Sequence, residues 1–251
     1  MKLSCVIPAH NEEECIRQTV EEIIAGLRDA NIVFEIILVD DNSTDSTPQI
    51  TEDLERSYPE IVVVHRAPPA GFGRAIREGL DRVTGDVVTT VMGDMSDDPK
   101  DIVRYFRAIE KGSDCVFGSR FIGGSVVKDY PPLKLFINRL ANTFVRALFL
   151  RKENDITNAF KMYRREVIES CKPFLALYFN ITVEIPLKAI NRGFSITQIP
   201  IHWYGRKSGV SKLKIRQMGK KYLFTVLYLW LERLLLTDEI RGTRKQRKRI
   251  L

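Results

Sequence analysis

Along the first 120 residues, apolar and polar positions fall into a repeating two-part pattern. Short runs rich in β-branched residues occur at 3–7 (LSCVI), 34–39 (FEIILV), 61–65 (IVVVH), 86–91 (DVVTTV) and 114–118 (DCVFG). Between them lie segments whose apolar residues recur at helical spacing, at 13–29, 46–57 and 73–82. Strand-length runs alternating with amphipathic helices predict an α/β fold built on a parallel, doubly wound sheet. Such a sheet binds ligands beyond the carboxyl ends of its strands. The polar clusters PAHNEE (8–13), DDNSTDST (40–47), GDMSDDP (93–99) and GSRF (118–121) all sit at such ends. Four polar loops are therefore expected to converge on one edge, as a nucleotide site requires.

Beyond residue 130 the pattern changes. Residues 131–150 read as a long amphipathic helix, 156–168 as a short strand leading into a helix, and 194–204 as one further strand. Residues 222–236 (YLFTVLYLWLERLLL) are almost wholly apolar. As a helix they would span about 22 Å, against a hydrocarbon core of about 30 Å. Glu232 and Arg233 interrupt the run, and Lys221, Thr225, Tyr228 and Glu232 make one less apolar stripe. Two readings stand: a buried C-terminal helix, or a helix lying in a membrane interface between Lys220-Lys221 and the basic tail. A full membrane span fits least.

Composition adds little except at the C-terminus. Hydrophobic residues make up 44% of the 251, which suits a globular core. The formal charge of +7 is concentrated in 241–249 (RGTRKQRKR), which holds six basic residues and no acid. Such a block is ordinarily a solvated tail, unless an anionic surface lies beside it. The spacing of Cys5, Cys15, Cys115 and Cys171 suits neither metal ligation nor pairing, so reduced thiols in a cytoplasmic protein are expected. The N-terminus turns polar before any signal-peptide core develops.

The loops carry the candidate chemistry. In PAHNEE, Asn11 is the expected N-cap of the first helix; in VDDNSTDST, Asp45 or Ser46 caps the second. Asp40 and Asp41 stand at a strand end, where a ribose or base edge would lie. The stretch VMGDMSDDP (91–99) holds three carboxylates. Asp98 directly precedes Pro99, and an acidic N-cap followed by proline is a standard helix start. Asp97 can either cap or approach a metal through water. Taken alone, each cluster is an ordinary strand–turn–helix.

In order and in register, these blocks resemble the family 2 glycosyltransferases of GT-A type. The likeness is strongest to the dolichyl-phosphate (polyprenyl-phosphate) mannose or glucose synthases. It runs from Leu3 to about Leu213. Its more specific blocks are GSRFIGG (118–124), NRLANTFVR (138–146), DITNAFKMYRREV (155–167) and RKSGVSKL (206–213). The resemblance implies a GT-A-type, Rossmann-like, mostly parallel sheet flanked by helices. A catalytic domain would cover 1–213, and an amphipathic apolar helix with a basic tail, 214–251, would attach it to a membrane or partner.

The family's metal-binding Asp-x-Asp falls on Met92-Gly93-Asp94. The first acid is thus replaced by methionine, and Asp94 matches the second. Asp94 with Ser96 and Asp97 would hold Mg²⁺ or Mn²⁺, since a magnesium ion accepts one or two carboxylates plus phosphate oxygens and waters. Pro8, Ala9, Asn11, Glu12, Asp40, Asp41, Gly93 and Asp94 would hold the nucleotide sugar, with GDP-mannose the implied donor. Arg120, Arg139, Arg206 and Lys212 match basic positions that would bind the donor diphosphate and the lipid phosphate. The acceptor would be a polyprenyl phosphate, which needs no general base because it is already anionic.

The implied location is the cytoplasmic face of a membrane, reached through an anionic lipid surface or a separate membrane subunit, with no nucleic-acid partner. Two rivals remain open. One is a same-fold enzyme that glycosylates a soluble saccharide from a UDP-sugar. The other, prompted by Met92, is a nucleotide-sugar binder without turnover.

Overall fold

The computed structural model describes residues 1–205 and 215–235, with the side chains of 215–217 excepted. Its centre is a seven-stranded sheet in the order β3-β2-β1-β4-β7-β5-β8. β1 (Lys2–Ala9), β2 (Val33–Asp40), β3 (Ile61–His65) and β4 (Val87–Thr90) pair in parallel. β5 (Cys115–Ser119) and β8 (Ile196–Pro200) are parallel to one another. β7 (Lys161–Arg164) runs antiparallel between β4 and β5. The expected mostly parallel α/β sheet is thus present, with one reversed strand in its middle.

Alternation along the strands feeds two cores, which is why these strands are apolar throughout. Leu3, Cys5 and Ile7 of β1 and Ile36 and Leu38 of β2 face α1 (Ile16–Asp29), α2 (Thr47–Ser57) and α4 (Pro99–Glu110). Val6, Ile37 and Val39 face the other way, toward α3 (Phe72–Leu80) and a layer built from α5 (Pro132–Phe149), α6 (Arg165–Cys171) and α7 (Ile181–Asn191). α8 (Ile215–Leu235) packs on α7 and α5 and sends Val226 and Leu229 into that second core. The four cysteines are buried and form no disulfide among the described residues.

Several expectations need correction. The first helix starts at Ile16, and Asn11 does not cap it. Asn11 has a left-handed backbone (φ 52°) and bonds across to the next loop, accepting from Thr44 N at 2.8 Å. In α2 the capping acceptor is Asp45, not Ser46: its Oδ1 takes the Thr47 amide at 2.9 Å. The single strand expected over 194–204 is two. β8 ends at Pro200, which has no N–H to donate, and after Ile201 the chain enters β9 (His202–Tyr204), paired with β6 (Val126–Lys128) in a separate two-stranded ribbon.

α8 is the least conventional element. Three of its polar side chains turn inward: Thr225 meets Asn180, Tyr222 donates to Phe179 O at 2.8 Å, and Glu232 meets Asn191. Leu223, Phe224, Leu227, Leu231 and Leu234 face outward and are exposed. α5 likewise exposes Leu133, Phe136, Leu140 and Phe144. Among the described residues no helix is long and apolar enough to cross a membrane.

Candidate active site

Parallel pairing brings the ends of β1, β2 and β4 to one edge of the sheet, and three loops meet there. Pro8 and Ala9 lie beside Val39 and Asp40 in register. Asn11 N donates to Ser43 Oγ at 3.0 Å, and buried Glu12 is fixed through its amide to Thr47 Oγ1 at 2.8 Å. Asp40 accepts from Ser43 N at 3.2 Å and meets His65 Nδ1 at 3.1 Å. Asp41 accepts from Arg66 and, at 2.6 Å, from the amide of Gly71. That amide leads into α3, and Gly73 is packed so tightly on loop 176–178 that a Cβ there would lie 2.7 Å from its backbone. The structure thus brings Pro8, Ala9, Asn11, Glu12, Asp40 and Asp41 together at this edge, with the Asp41 carboxylate bonded to Arg66 and the Gly71 amide.

The acidic loop follows β4. Gly93 O accepts from Thr19 Oγ1 at 3.2 Å, which ties the loop to α1. Met95 takes a left-handed turn (φ 60°), and Asp94 Oδ1 accepts from Ser96 N at 3.2 Å. Asp94, Ser96 and Asp97 are all buried. Asp98 caps α4 through Lys100 N at 2.9 Å, as its place before Pro99 predicts.

Asp97 is different from its neighbour. Its carboxylate accepts the Met92 amide at 3.2 Å and makes no ion pair among the described residues. Burial, and then the charge of Asp94, push its pKa up to about 7. A buried carboxyl beside another carboxylate is what a divalent cation would relieve. Among the described residues no group of three or more His, Cys, Asp or Glu could hold a metal. Two carboxylates and a serine nevertheless fit an ion that takes most of its ligands from diphosphate oxygens and water.

The basic residues divide. The Arg120 side chain is only 8% exposed, and its Nε and Nη2 clamp Asp155 at 2.8 and 2.7 Å, leaving Nη1 facing Tyr130. Burial works against its charge, but Asp155 more than compensates and its pKa stays above the ordinary range. Arg139 stands exposed on α5 and makes no hydrogen bond or ion pair among the described residues; its guanidinium lies over the Phe121 ring at 4.9 Å. Arg206 and Lys212 lie outside the described residues.

Sequence reasoning did not single out Asp155, Tyr130, Trp203 or Arg66. Asp155 lay inside a recognised block, but the residue that pairs with it becomes visible only when β5 and the turn before β7 are brought together. The β6–β9 ribbon covers the acidic loop: Tyr204 N donates to Ser96 O at 3.1 Å, and Asp97 bridges Trp203.

With this geometry in hand, comparison with known proteins is decisive. The model of the family "Glycosyl transferase family 2" matches residues 4–171. The chain belongs to glycosyl transferase family 2. It is 32% identical over 214 residues to the polyprenol monophosphomannose synthase of Mycolicibacterium smegmatis, covering 83% of this chain and 79% of that protein. It is 31% identical over 217 residues to a dolichol-phosphate mannosyltransferase of Pyrococcus furiosus, covering 85% of this chain and 60% of that longer protein.

Among solved structures, it superposes with a TM-score of 0.72 on glucosyl-3-phosphoglycerate synthase from Mycobacterium tuberculosis in complex with Mn²⁺, UDP-glucose and phosphoglyceric acid. That match has 21% identity and covers 91% of this chain and 79% of the other. At that identity the likeness shows the GT-A fold. As a family 2 enzyme, the protein is a glycosyltransferase.

Proposed function

We propose that the protein transfers mannose from GDP-mannose to a polyprenyl (dolichyl) phosphate at a membrane surface, with inversion at the sugar carbon. The two mannosyltransferase relatives support the sugar and the class of acceptor. The observation that carries the acceptor is Arg139. It is a cation without a carboxylate partner among the described residues, standing on an exposed apolar helix and sharing the Phe121 ring with Arg120, whose charge reaches Asp97 of the acidic loop. A lipid phosphate lying at an apolar surface meets a guanidinium in that setting, and arginine's fork suits phosphate oxygens.

In this scheme Pro8, Ala9, Asn11, Glu12, Asp40, Asp41 and Gly93 line the nucleotide side. Asp94, with Ser96 and Asp97, would hold Mg²⁺ or Mn²⁺. When bound, the ion would offset charge developing on the departing diphosphate. An acceptor phosphate oxygen forms the new bond to the sugar carbon as the bond to the diphosphate breaks. No proton has to move, because the acceptor is already ionised near neutral pH. Arg120 and Arg139, together with Arg206 and Lys212, would hold two anionic groups close together despite their repulsion.

The outward leucines and phenylalanines of α5 and α8 supply an apolar face for peripheral attachment to an anionic membrane or a membrane subunit. Beside it lies a cavity of about 350 Å³, lined by Leu175, Leu177, Tyr178, Phe224 and Tyr228. Arg74 and Lys221 stack on Tyr178 there, and neither makes an ion pair among the described residues.

The deciding experiment incubates the protein with polyprenyl phosphate and a panel of radiolabelled sugar nucleotides. Label in the organic phase supports the proposal. Label that stays on an aqueous saccharide favours the soluble-acceptor rival, and binding without turnover favours the non-catalytic one. Attachment is tested by flotation on phosphatidylglycerol-containing against neutral vesicles at low and high salt. Because α8 also serves the core, the informative variants are loss of 237–251 and Leu223→Ser with Leu227→Ser, not removal of the helix. Binding indifferent to lipid charge, salt and both variants would remove the membrane part of the proposal.

A further inference from the structure

Arg120 and Arg139 share one aromatic ring. Phe121 has the guanidinium of Arg120 at 5.4 Å from its centroid and that of Arg139 at 4.9 Å. Arg120 also lies 5.4 Å from the ring of Tyr130, which packs T-shaped with Trp203 at a centroid distance of 4.8 Å. The column starts at Trp203 of β9, against the acidic loop, and from Tyr130 outward ring and guanidinium alternate until it ends at Arg139.

Three observations give the column direction. Its inner cation is neutralised by the Asp155 clamp. Its outer cation has no polar partner among the described residues. The Phe121 backbone between them is pinned at both polar groups: its N–H donates to Ser119 Oγ at 3.0 Å and its carbonyl accepts from Asn154 Nδ2 at 3.1 Å. Ser119 and Asn154 are themselves bonded at 2.6 Å. An exposed arginine on a helix otherwise samples many rotamers, and ordering it on binding costs free energy. A fixed ring face beneath the guanidinium removes part of that cost in advance.

We propose that Phe121 is a positioning residue that holds the Arg139 guanidinium ready for the phosphate of the lipid acceptor. The inference rests on Arg139 being a lipid-phosphate ligand, as set out under the proposed function. The ring touches no reacting atom; it acts through Arg139.

The test is equilibrium binding of farnesyl phosphate in detergent, beside binding of GDP, for the parent chain and four variants. Phe121→Leu, which keeps apolar bulk but no π face, should weaken farnesyl phosphate about fivefold, the scale of a partly exposed cation–π contact. Its GDP affinity and melting temperature should be unchanged, and Phe121→Tyr should restore the parent value. Arg139→Ala should weaken farnesyl phosphate by at least as much, and adding Phe121→Leu to it should cost nothing further. If Phe121→Leu destabilises the fold, Phe121→Met fills the same space and takes its place.

Unchanged lipid-phosphate affinity in the leucine variant, while Arg139→Ala loses it, would overturn the role of Phe121 alone. So would additivity in the double variant, or parallel loss of GDP affinity. If Arg139→Ala binds farnesyl phosphate like the parent, or the parent does not bind it, the proposed acceptor site falls and this inference with it.

Discussion

Two buried carboxylates at opposite ends of the same sheet are treated in opposite ways. At the amino edge, Glu35 of β2 collects Lys2 Nζ, Ser4 Oγ, the Thr84 hydroxyl and amide, and the Gly85 amide, at 2.6–3.3 Å. Burial alone would raise its pKa, but these donors bring it down to about 2. At the carboxyl edge Asp97 receives one amide and faces Asp94, and its pKa rises to about 7. The carboxylate that joins strands is surrounded by donors, whereas the one proposed to meet a cation is short of them. The first edge is tied together by its carboxylate, and the second leaves its carboxylate with a single amide donor beside another acid.

The largest expected effect is on the satisfied side. Glu35→Ala would remove the shared acceptor of five donors at the start of β1 and β2 and in the turn before β4, of which Lys2 Nζ and the Gly85 amide keep a second partner in Thr84 Oγ1 and Ser4 Oγ. A loss of about 3 kcal/mol of unfolding free energy is expected, with turnover unchanged in the protein that stays folded. Because the folded pKa is depressed, this stability is present above the ordinary glutamate range and fades as pH falls from about 4.5 toward about 2. Urea melts of parent and variant at pH 7, 4 and 3 check it. Equal gaps at all three would show that the network is not what Glu35 contributes.

Next is Asp94→Asn, which removes charge from the ligand side without altering shape. Turnover should fall about a hundredfold, roughly 2.7 kcal/mol of barrier, while the melting temperature holds or rises. Near-normal turnover would reverse the assignment of Asp94 as principal metal ligand.

Much of this contrast was legible in the chain, and where it was not the reason is physical. The strands that carry the site's loops were visible because β-branched runs have few other uses. The acidic loop was found because its carboxylates crowd after one such run. β7 was harder, since KMYR buries a lysine: Lys161 Nζ serves Ile156 O and Asn158 O in the interior, so the strand does not look apolar. α7 was not anticipated at all. Every residue of ITVEIPLKAIN is buried, so it lacks the one-sided pattern by which helices are recognised, and Pro186 argues against a helix. Asn11 was misread because a polar residue after a strand resembles a cap, whereas here it spans two loops that sequence separates by more than thirty residues. The Arg120–Asp155 clamp has the same origin: partners 35 residues apart leave no local signal.

A smaller effect separates Asp97 from Glu35 by sign. A folded pKa raised above the unfolded one contributes stability fully present below about 3.8 and lost as pH rises toward about 7. The metal-free protein should therefore lose melting temperature across that window, and Asp97→Asn should flatten the decline. Mn²⁺ should restore the parent at pH 7.5, since a cation beside Asp97 favours its ionised form. A parent whose stability is level from pH 4 to 7.5 would place Asp97 with Glu35 among the satisfied carboxylates.

The smallest effect concerns the neighbouring residue. Asp98 looks interchangeable with Asp97 in the sequence, yet its Oδ1 accepts the Lys100 amide at 2.9 Å with Pro99 at the first helical position, and it is partly exposed. Its work is to cap α4, and asparagine accepts the same bond nearly as well. Asp98→Asn should shift unfolding free energy by no more than a few tenths of a kcal/mol and leave turnover and Mn²⁺ response as in the parent. Asp98→Ala, which removes the acceptor, should cost about 1 kcal/mol. Both are read from urea melts with and without Mn²⁺, beside the labelled-sugar assay. If Asp98→Asn instead loses turnover or its Mn²⁺ response, the cation draws on Asp98 as well. The division of labour between the two adjacent aspartates would then fail at the position where the helix cap was thought to account for everything.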